Sequence, residues 1–409
     1  MLGALATGTT RITGLLEAED VLNTAKVVEA LGCPVRRVAG GWEVLGRGVG
    51  GLSQPAGPLD FGNSGTGCRL MMGVLAGHDI EATLVGDESL SRRPMKRVLT
   101  PLRQMGLSVR DDRETLPLTI RGTSSLLPIE YQTPVPSAQV KSAILLAGLA
   151  ASGCTTVIER EATRDHTERM LRYFGAEVVT TTRDGKTVIT VTGDVELQGR
   201  PVAVPGDPSS AAFLAAAAAI VPGSEVTIPG VLVNETRTGF YTTLAEMGGD
   251  VALTNLRDEG GEPIADIRVR HRPLKGVRVP AARAPSMIDE YPVLSVVAAF
   301  AEGETHMEGL AELKVKESDR LAATAAGLAT CGVAAHVDGD TLVVVGGRSV
   351  RGGGPVVTHM DHRIAMSFLI LGLGSENPVT VDDVRFVATS FPEFMDLMRT
   401  LGAKLESAI

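Results

Sequence analysis

Val28-Glu-Ala-Leu-Gly32 places apolar residues four positions and one position before a glycine, and the same spacing returns five more times along the chain. The other copies are Leu102-Arg-Gln-Met-Gly106, Leu171-Arg-Tyr-Phe-Gly175, Leu244-Ala-Glu-Met-Gly248, Leu328-Ala-Thr-Cys-Gly332 and Met398-Arg-Thr-Leu-Gly402. Their glycines stand 74, 69, 73, 84 and 70 residues apart, a near-constant period that marks an internal repeat. Each copy reads as the last turn of an amphipathic helix, closed by a glycine that takes the left-handed conformation without a Cβ clash. Upstream of each helix lies a β-branched stretch, at 9–15, 80–85, 155–158, 225–228, 304–307 and 378–381, which the pattern predicts as strands. Ahead of those strands come Ala/Leu/Gly-rich segments such as 144–151 and 213–221, apolar nearly all round and therefore buried helices. Six such units predict an α/β (α+β) fold of two domains with three units each, 1–204 and 205–409. The boundary falls near Arg200-Pro-Val-Ala-Val-Pro205, after which Gly206-Asp-Pro-Ser-Ser210 opens a helix with an N-cap aspartate and a first-turn proline.

The 409 residues suffice for two or three domains at roughly 150 residues each. Aromatics are only 3% of the chain, too few for a base-stacking platform, and a net charge of −9 disfavours a general polyanion surface. No nucleic-acid partner is expected. The four cysteines, Cys33, Cys68, Cys154 and Cys331, show neither CxxC nor Cys/His ligand spacing, so neither a disulfide framework nor a zinc site is predicted, and a reducing cytoplasm fits. The longest nearly pure apolar run, 211–221, has 11 residues against the roughly 18 needed for a bilayer, so no membrane partner is expected.

Charge concentrates in the loops between strand and glycine-capped helix. They are Gly86-Asp-Glu-Ser-Leu-Ser-Arg-Arg-Pro94, Thr163-Arg-Asp-His-Thr167, Asn234-Glu-Thr-Arg-Thr238 and Leu313-Lys-Val-Lys-Glu-Ser-Asp-Arg320. Free N–H groups and the macrodipole favour anions at helix N-termini, and arginine adds bidentate recognition of phosphate or carboxylate. If the last of these loops is helical, Lys316 and Arg320 share a face and Glu317 looks elsewhere. Asp361-His-Arg363 places further cations before the apolar run 364–373. The glycine-rich loop Asp60-Phe-Gly-Asn-Ser-Gly-Thr-Gly-Cys-Arg69 and Pro136-Ser-Ala-Gln-Val-Lys141 precede helices at 70 and 144, where backbone N–H groups can face an anion. The first is neither a Walker A loop nor a dinucleotide fingerprint. Asp289-Glu290 supplies carboxylates in a mostly apolar stretch, a setting that raises carboxyl pKa values and suits a general base.

Asn63-Ser-Gly-Thr-Gly-Cys-Arg69, Arg92-Arg-Pro94, Ser137-Ala-Gln139, Thr163-Arg-Asp-His166, Lys316-Glu-Ser-Asp-Arg320 and Asp361-His-Arg363 stand in the order and spacing of the enolpyruvyl transferases. Over essentially its whole length the chain resembles the 5-enolpyruvylshikimate-3-phosphate synthase branch, in particular the bacterial group noted for glyphosate insensitivity. The resemblance implies two domains of three βαβαββ units in pseudo-threefold arrangement, with the site in the cleft between them. It implies transfer of the enolpyruvyl group of phosphoenolpyruvate to the 5-hydroxyl of shikimate 3-phosphate, with release of phosphate, in the route to chorismate and aromatic amino acids. No cofactor and no metal are implied, glyphosate is an inhibitor to be tested, and a monomer is expected.

Residue by residue, the resemblance assigns Ser137, Ala138, Gln139, Arg164, Asp289 and Lys316 to shikimate 3-phosphate. It assigns Gly65, Arg93, Gln139, Arg320 and Arg363 to phosphoenolpyruvate. Asp289 would take the proton of the attacking hydroxyl and Glu317 would handle the proton at the methylene carbon. Relatives carry a strand with Lys-Ser-x-Ser-x-Arg ahead of the segment matching Met1-Leu-Gly-Ala-Leu-Ala6, and Ala388 stands where many have a lysine. The chain as it stands is therefore expected to bind phosphoenolpyruvate poorly and turn over slowly. Two other readings follow: a relative that only binds phosphorylated metabolites, and a transferase acting on UDP-N-acetylglucosamine. The latter usually carries a reactive cysteine in the loop corresponding to Gly86-Asp-Glu-Ser-Leu-Ser-Arg-Arg-Pro94, which has none.

Overall fold

All six repeat glycines adopt positive φ, between 78° at Gly332 and 118° at Gly106, so each helix stops where the sequence pattern stops it. The structure is a computed structural model that describes residues 1–111, 113–347 and 349–406. The fold is mixed α/β with several small sheets. It divides into two compact units: unit 1, Met1–Val204 with Glu259–Glu262, and unit 2, Pro205–Asp258 with Pro263–Ile409.

Unit 1 contains α1 (Leu2–Leu5), α2 (Glu19–Ala30), α3 (Gly65–Ala76), α4 (Glu88–Ser91), α5 (Lys96–Met105), α6 (Ala138–Gly148) and α7 (His166–Phe174). Glycines close α2, α5 and α7, whose outer faces are polar, whereas α6 is buried from Val140 to Gly148 and packs on α3. The two backbones touch at Gly73, where a Cβ would lie 2.2 Å from the carbonyl oxygen of Ala143. Small sheets flank these helices. In one, Leu59–Asp60 runs parallel to Glu81–Val85, which pairs antiparallel with Leu118–Arg121. In another, Glu130–Gln132 runs parallel to Cys154–Glu159, which pairs antiparallel with Lys186–Thr192. The first predicted strand is shifted, running Ala6–Thr13 and ending where Gly14 turns to φ 70°.

Unit 2 contains α8 (Pro208–Ile220), α9 (Gly239–Glu246), α10 (Tyr291–Ala299), α11 (Arg320–Thr330), α12 (His362–Gly374) and α13 (Phe394–Thr400). Asp207 caps α8, accepting from Ser210 N at 2.8 Å, with Pro208 in the first turn. The three helices α8, α10 and α12 pack on one another in every pairing and form the centre of this unit's apolar core. Their sequences, Ala-rich or Val/Leu-rich all round, suit a position with no solvent face. Gly303–Met307 repeats the pattern of unit 1, parallel to Arg278–Val279 and antiparallel to Thr341–Gly346.

The strand predicted at 378–381 is not one. Among the described residues, that stretch makes only an isolated parallel bridge, Val356 with Val381, next to one between Gly352 and Asn377. Its partner segment contains Gly352-Gly-Gly-Pro355, in which proline has no N–H to donate and glycine adds no side chain to pack, so no continuous ladder forms. The helices predicted to start at 70 and 144 begin earlier, at Gly65 and Ala138, because Ser64 and Ser137 cap them. Among the described residues, no helix is long and apolar enough to cross a membrane.

Candidate active site

In unit 1 the expected site residues gather around the N-termini of α3 and α6. Ser64 Oγ accepts from Gly67 N at 3.2 Å and Ser137 Oγ accepts from Val140 N at 3.4 Å, so the side chains that start these helices also fix their first turns. Gln139 joins the two ends: its Nε2 donates to Thr66 Oγ1 at 2.7 Å and its Oε1 accepts from Arg69 Nη1 at 3.0 Å. Arg93 comes to the same place from the turn after α4, donating to Asn63 Oδ1 at 3.0 Å and Ser89 Oγ at 3.2 Å. Asn63 is held in turn by Asp87 at 2.7 Å, and Asp87 caps α4.

Gly65 lies between the two guanidinium groups. A Cβ there would be 3.1 Å from Arg93 Nη1 and 3.2 Å from Arg69 Nη1. Among the described residues, both arginines donate only to neutral oxygens, Arg69 to Gln139 and Pro94 O, Arg93 to Asn63 and Ser89. Burial lowers the Arg69 pKa from its ordinary value, and the neighbouring Arg93 and Arg97 charges lower it further against the opposing Cys68. Two cations near a helix N-terminus, with the dipole also positive there, make a setting that favours an anion. Arg69 was not among the residues expected from sequence. Its arginine in a glycine-rich loop was the available signal, but its partners stand far away in the chain.

Ser137 and Ala138 occupy the same first turn of α6 as Gln139. Arg164 lies in the segment between the strand Cys154–Glu159 and α7, anchored next to α6 through Thr163, whose carbonyl accepts from Lys141 Nζ at 3.4 Å.

In unit 2 the expected residues converge on Asp289, just before α10. Its Oδ1 lies 3.2 Å from Arg320 Nη1 and 3.4 Å from Lys316 Nζ, and its backbone carbonyl accepts from Arg363 Nη1 at 3.5 Å. Arg320 is 1% exposed and also donates through Nε to Asp361 Oδ2 at 2.8 Å and through Nη2 to Glu317 Oε2 at 2.6 Å. Asp361 is itself buried; it accepts from Ser318 Oγ at 2.9 Å and from Arg363 N at 3.0 Å, which starts α12. One carboxylate thus fixes both arginines.

Two expectations are corrected here. Lys316 is extended rather than helical, because Asp319 caps α11 and the helix begins only at Arg320; Glu317 then turns towards Arg320 instead of away. The apolar setting expected for the Asp289-Glu290 pair belongs to Glu290. Its carboxyl is buried and pushed up by desolvation, against the pull of Arg363 and Arg237, while it accepts a hydrogen bond from Ser209. Asp289 stands among cations. Burial and the adjacent Arg363 push the His362 pKa down to about 4. Arg363 itself loses by burial but gains more from Asp289, Glu290, Asp207 and Glu317, so its pKa is raised. Among the described residues, no group of three or more His, Cys, Asp or Glu side chains is placed to hold a metal ion.

Residues 1–398 match the family described as EPSP synthase (3-phosphoshikimate 1-carboxyvinyltransferase). A 3-phosphoshikimate 1-carboxyvinyltransferase from Parvibaculum lavamentivorans is 60% identical over 407 residues, covering 98% of this chain and 90% of that protein. One from Rhodopseudomonas palustris strain BisA53 is 60% identical over 408 residues, covering 98% and 92%. A solved EPSP synthase from Acinetobacter baumannii superimposes with a TM-score of 0.92 at 44% identity, covering 100% of this chain and 93% of that one.

Proposed function

The chain belongs to the EPSP synthase family, and from that premise we propose that it transfers the enolpyruvyl group of phosphoenolpyruvate to the 5-hydroxyl of shikimate 3-phosphate and releases phosphate. The observation that supports this most directly is the pair Arg69 and Arg93 around Gly65, two cations with neutral partners at one helix N-terminus. Phosphoenolpyruvate carries both a phosphate and a carboxylate, and each charged hydrogen bond to such a group contributes roughly 1.5–3 kcal/mol. Arg93, Gln139, Arg320 and Arg363 are its proposed ligands, with Gly65 at the pocket wall. Ser137, Ala138, Gln139, Arg164, Asp289 and Lys316 are proposed for shikimate 3-phosphate.

The chemistry adds an alcohol across an enol phosphate. A proton goes to the methylene carbon while the hydroxyl oxygen attacks the phosphate-bearing carbon and gives up its own proton. Loss of phosphate and of one methyl proton from the tetrahedral adduct then restores the double bond. In this reading Asp289 accepts the hydroxyl proton and Glu317 serves the carbon. Two carboxyl groups in different surroundings suit two proton transfers. Asp289 has a side chain 15% exposed, in contact with Lys316 and Arg320, whereas that of Glu317 is 53% exposed.

The test is phosphate release from phosphoenolpyruvate with shikimate 3-phosphate or UDP-N-acetylglucosamine as acceptor. Release with the second alone, or with neither, overturns the assignment. The absence of a cysteine from Gly86-Asp-Glu-Ser-Leu-Ser-Arg-Arg-Pro94 favours the first. A cytoplasmic monomer is the accompanying reading.

Arg93→Ala should raise the KM for phosphoenolpyruvate at least about tenfold, the loss of one charged hydrogen bond, and leave that for shikimate 3-phosphate within about twofold. Equal weakening of both would reassign Arg93. Gly65→Ala should raise the glyphosate concentration for half-inhibition more than it raises the KM for phosphoenolpyruvate. Its methyl meets Arg93 and Arg69 at 3.1 and 3.2 Å, so it narrows the pocket and displaces two flexible tips. Inhibition unchanged in dose-response assays would remove Gly65 from the pocket wall.

A further inference from the structure

Lys141 is the largest charged side chain buried in unit 1, 1% exposed, and the chemistry proposed above does not use it. Its ammonium has three N–H groups and three acceptors. Nζ lies 3.0 Å from Glu159 Oε2, 2.8 Å from Glu168 Oε1 and 3.4 Å from the Thr163 carbonyl. Glu159 and Glu168 are 1% and 2% exposed. The acceptors come from three places: the end of the strand Cys154–Glu159, the 160–165 segment and α7. Lys141 itself lies on α6, one turn beyond Ser137, whose carbonyl accepts from Lys141 N at 3.1 Å.

We propose that the Lys141–Glu159–Glu168 cluster is a positioning device that holds the 160–165 segment, and with it Arg164, in register with the first turn of α6, and so sets the affinity for the phosphorylated acceptor. The inference rests on the reading that Ser137, Gln139 and Arg164 bind shikimate 3-phosphate.

Three observations carry it. The 160–165 segment has no regular structure and its first three residues are exposed, so apolar packing does little to locate it. Its link to the cluster is Thr163, which meets Glu159 twice, Oγ1 to Oε1 at 2.6 Å and N to Oε2 at 3.4 Å, as well as giving its carbonyl to Lys141. Holding α7 against α6 does not require these charges, because Ser142 Oγ and Thr167 Oγ1 form a separate bond at 2.6 Å. A buried ion cluster adds little net stability compared with apolar residues of the same shape, whereas it fixes direction well. Burial pushes the Glu168 carboxyl up against the opposing Lys141, and among the described residues its buried Oε2 has no hydrogen-bond partner. Glu159 is the carboxylate that ties Thr163 to the ammonium, accepting from the hydroxyl through Oε1 and from Lys141 through Oε2.

The discriminating change is Thr163→Val in the full chain, which keeps shape and the ion cluster but removes the hydroxyl. Expected are a KM for shikimate 3-phosphate raised about tenfold, kcat reduced less than about threefold, a KM for phosphoenolpyruvate within about twofold and a Tm lowered by only a few degrees, the cost of one buried carboxylate oxygen left without its donor. Thr163→Ser should restore the parent values. Amide hydrogen exchange at 161–164 should quicken at least about tenfold in the valine variant while α6 is unchanged. Equal effects on both substrates, no effect on either, or a serine variant that behaves like valine would overturn the proposal. If the parent neither turns over nor binds shikimate 3-phosphate, the functional reading fails by itself, and unaltered exchange at 161–164 would separately refute the anchor.

Discussion

Arg320→Ala is expected to lower stability by about 3–5 kcal/mol, the loss usual when one member of a buried ion pair is removed and its partner stays charged. Asp361 is 1% exposed and would lose the guanidinium that meets both its oxygens, at 2.8 and 3.3 Å. The same carboxylate orients the first turn of α12, so the damage would reach Arg363 even though Arg320 touches it only through shared acids. Urea unfolding followed by circular dichroism measures the effect. A loss under about 1 kcal/mol would mean that Asp361 finds water or another cation. Arg320→Lys should recover only part of the stability, because an ammonium cannot reproduce the planar fork that meets Asp361, Asp289 and Glu317 together. An activity assay alone would misread this residue, since a failure of folding would be counted as a failure to bind.

Asp289→Asn should slow turnover at least about a hundredfold, within the usual range for loss of a general base, while the dissociation constants of both substrates change less than about threefold. The amide keeps an oxygen that can still accept from Arg320 and Lys316, so the geometry survives and the proton acceptor is lost. Single-turnover rates under saturating substrates, beside equilibrium binding, separate the two. A normal rate would eliminate Asp289 as the base and turn attention to the other carboxylates on its cations.

What the sequence made legible follows from how local each determinant is. The six helix ends could be read because a left-handed cap needs glycine whatever surrounds it, and Gly32, Gly106, Gly175, Gly248, Gly332 and Gly402 all adopt it. The buried helices could be read because they have no polar face. The strand at 378–381 was misread because its ladder depends on a distant partner, and that partner is interrupted by Pro355. The shared helical face of Lys316 and Arg320 was left conditional, although a local signal decides it: Ser318-Asp319 ahead of an apolar run is an N-cap, which starts the helix after Lys316 rather than before it. Motif order proposed the ligands, but no spacing could show that Asp361 holds Arg320 or that Arg69 meets Gln139, since those contacts join residues 41 and 70 positions apart.

The bare backbone contact between Gly73 and Ala143 makes a crossing of two rods whose far ends carry the proposed anion site. At about 1.5 Å of rise per residue, Gly65 stands roughly 12 Å along α3 from that crossing, so a tilt of about 5° there swings the end by about 1 Å. An error of about that size at a reacting centre can cost on the order of a hundredfold in rate. The methyl group missing from residue 73 therefore works as a tolerance setting. It lets the two helices meet without a compressible side chain between them, and the alignment of Gly65, Arg69 and Gln139 is machined at a point that touches none of them.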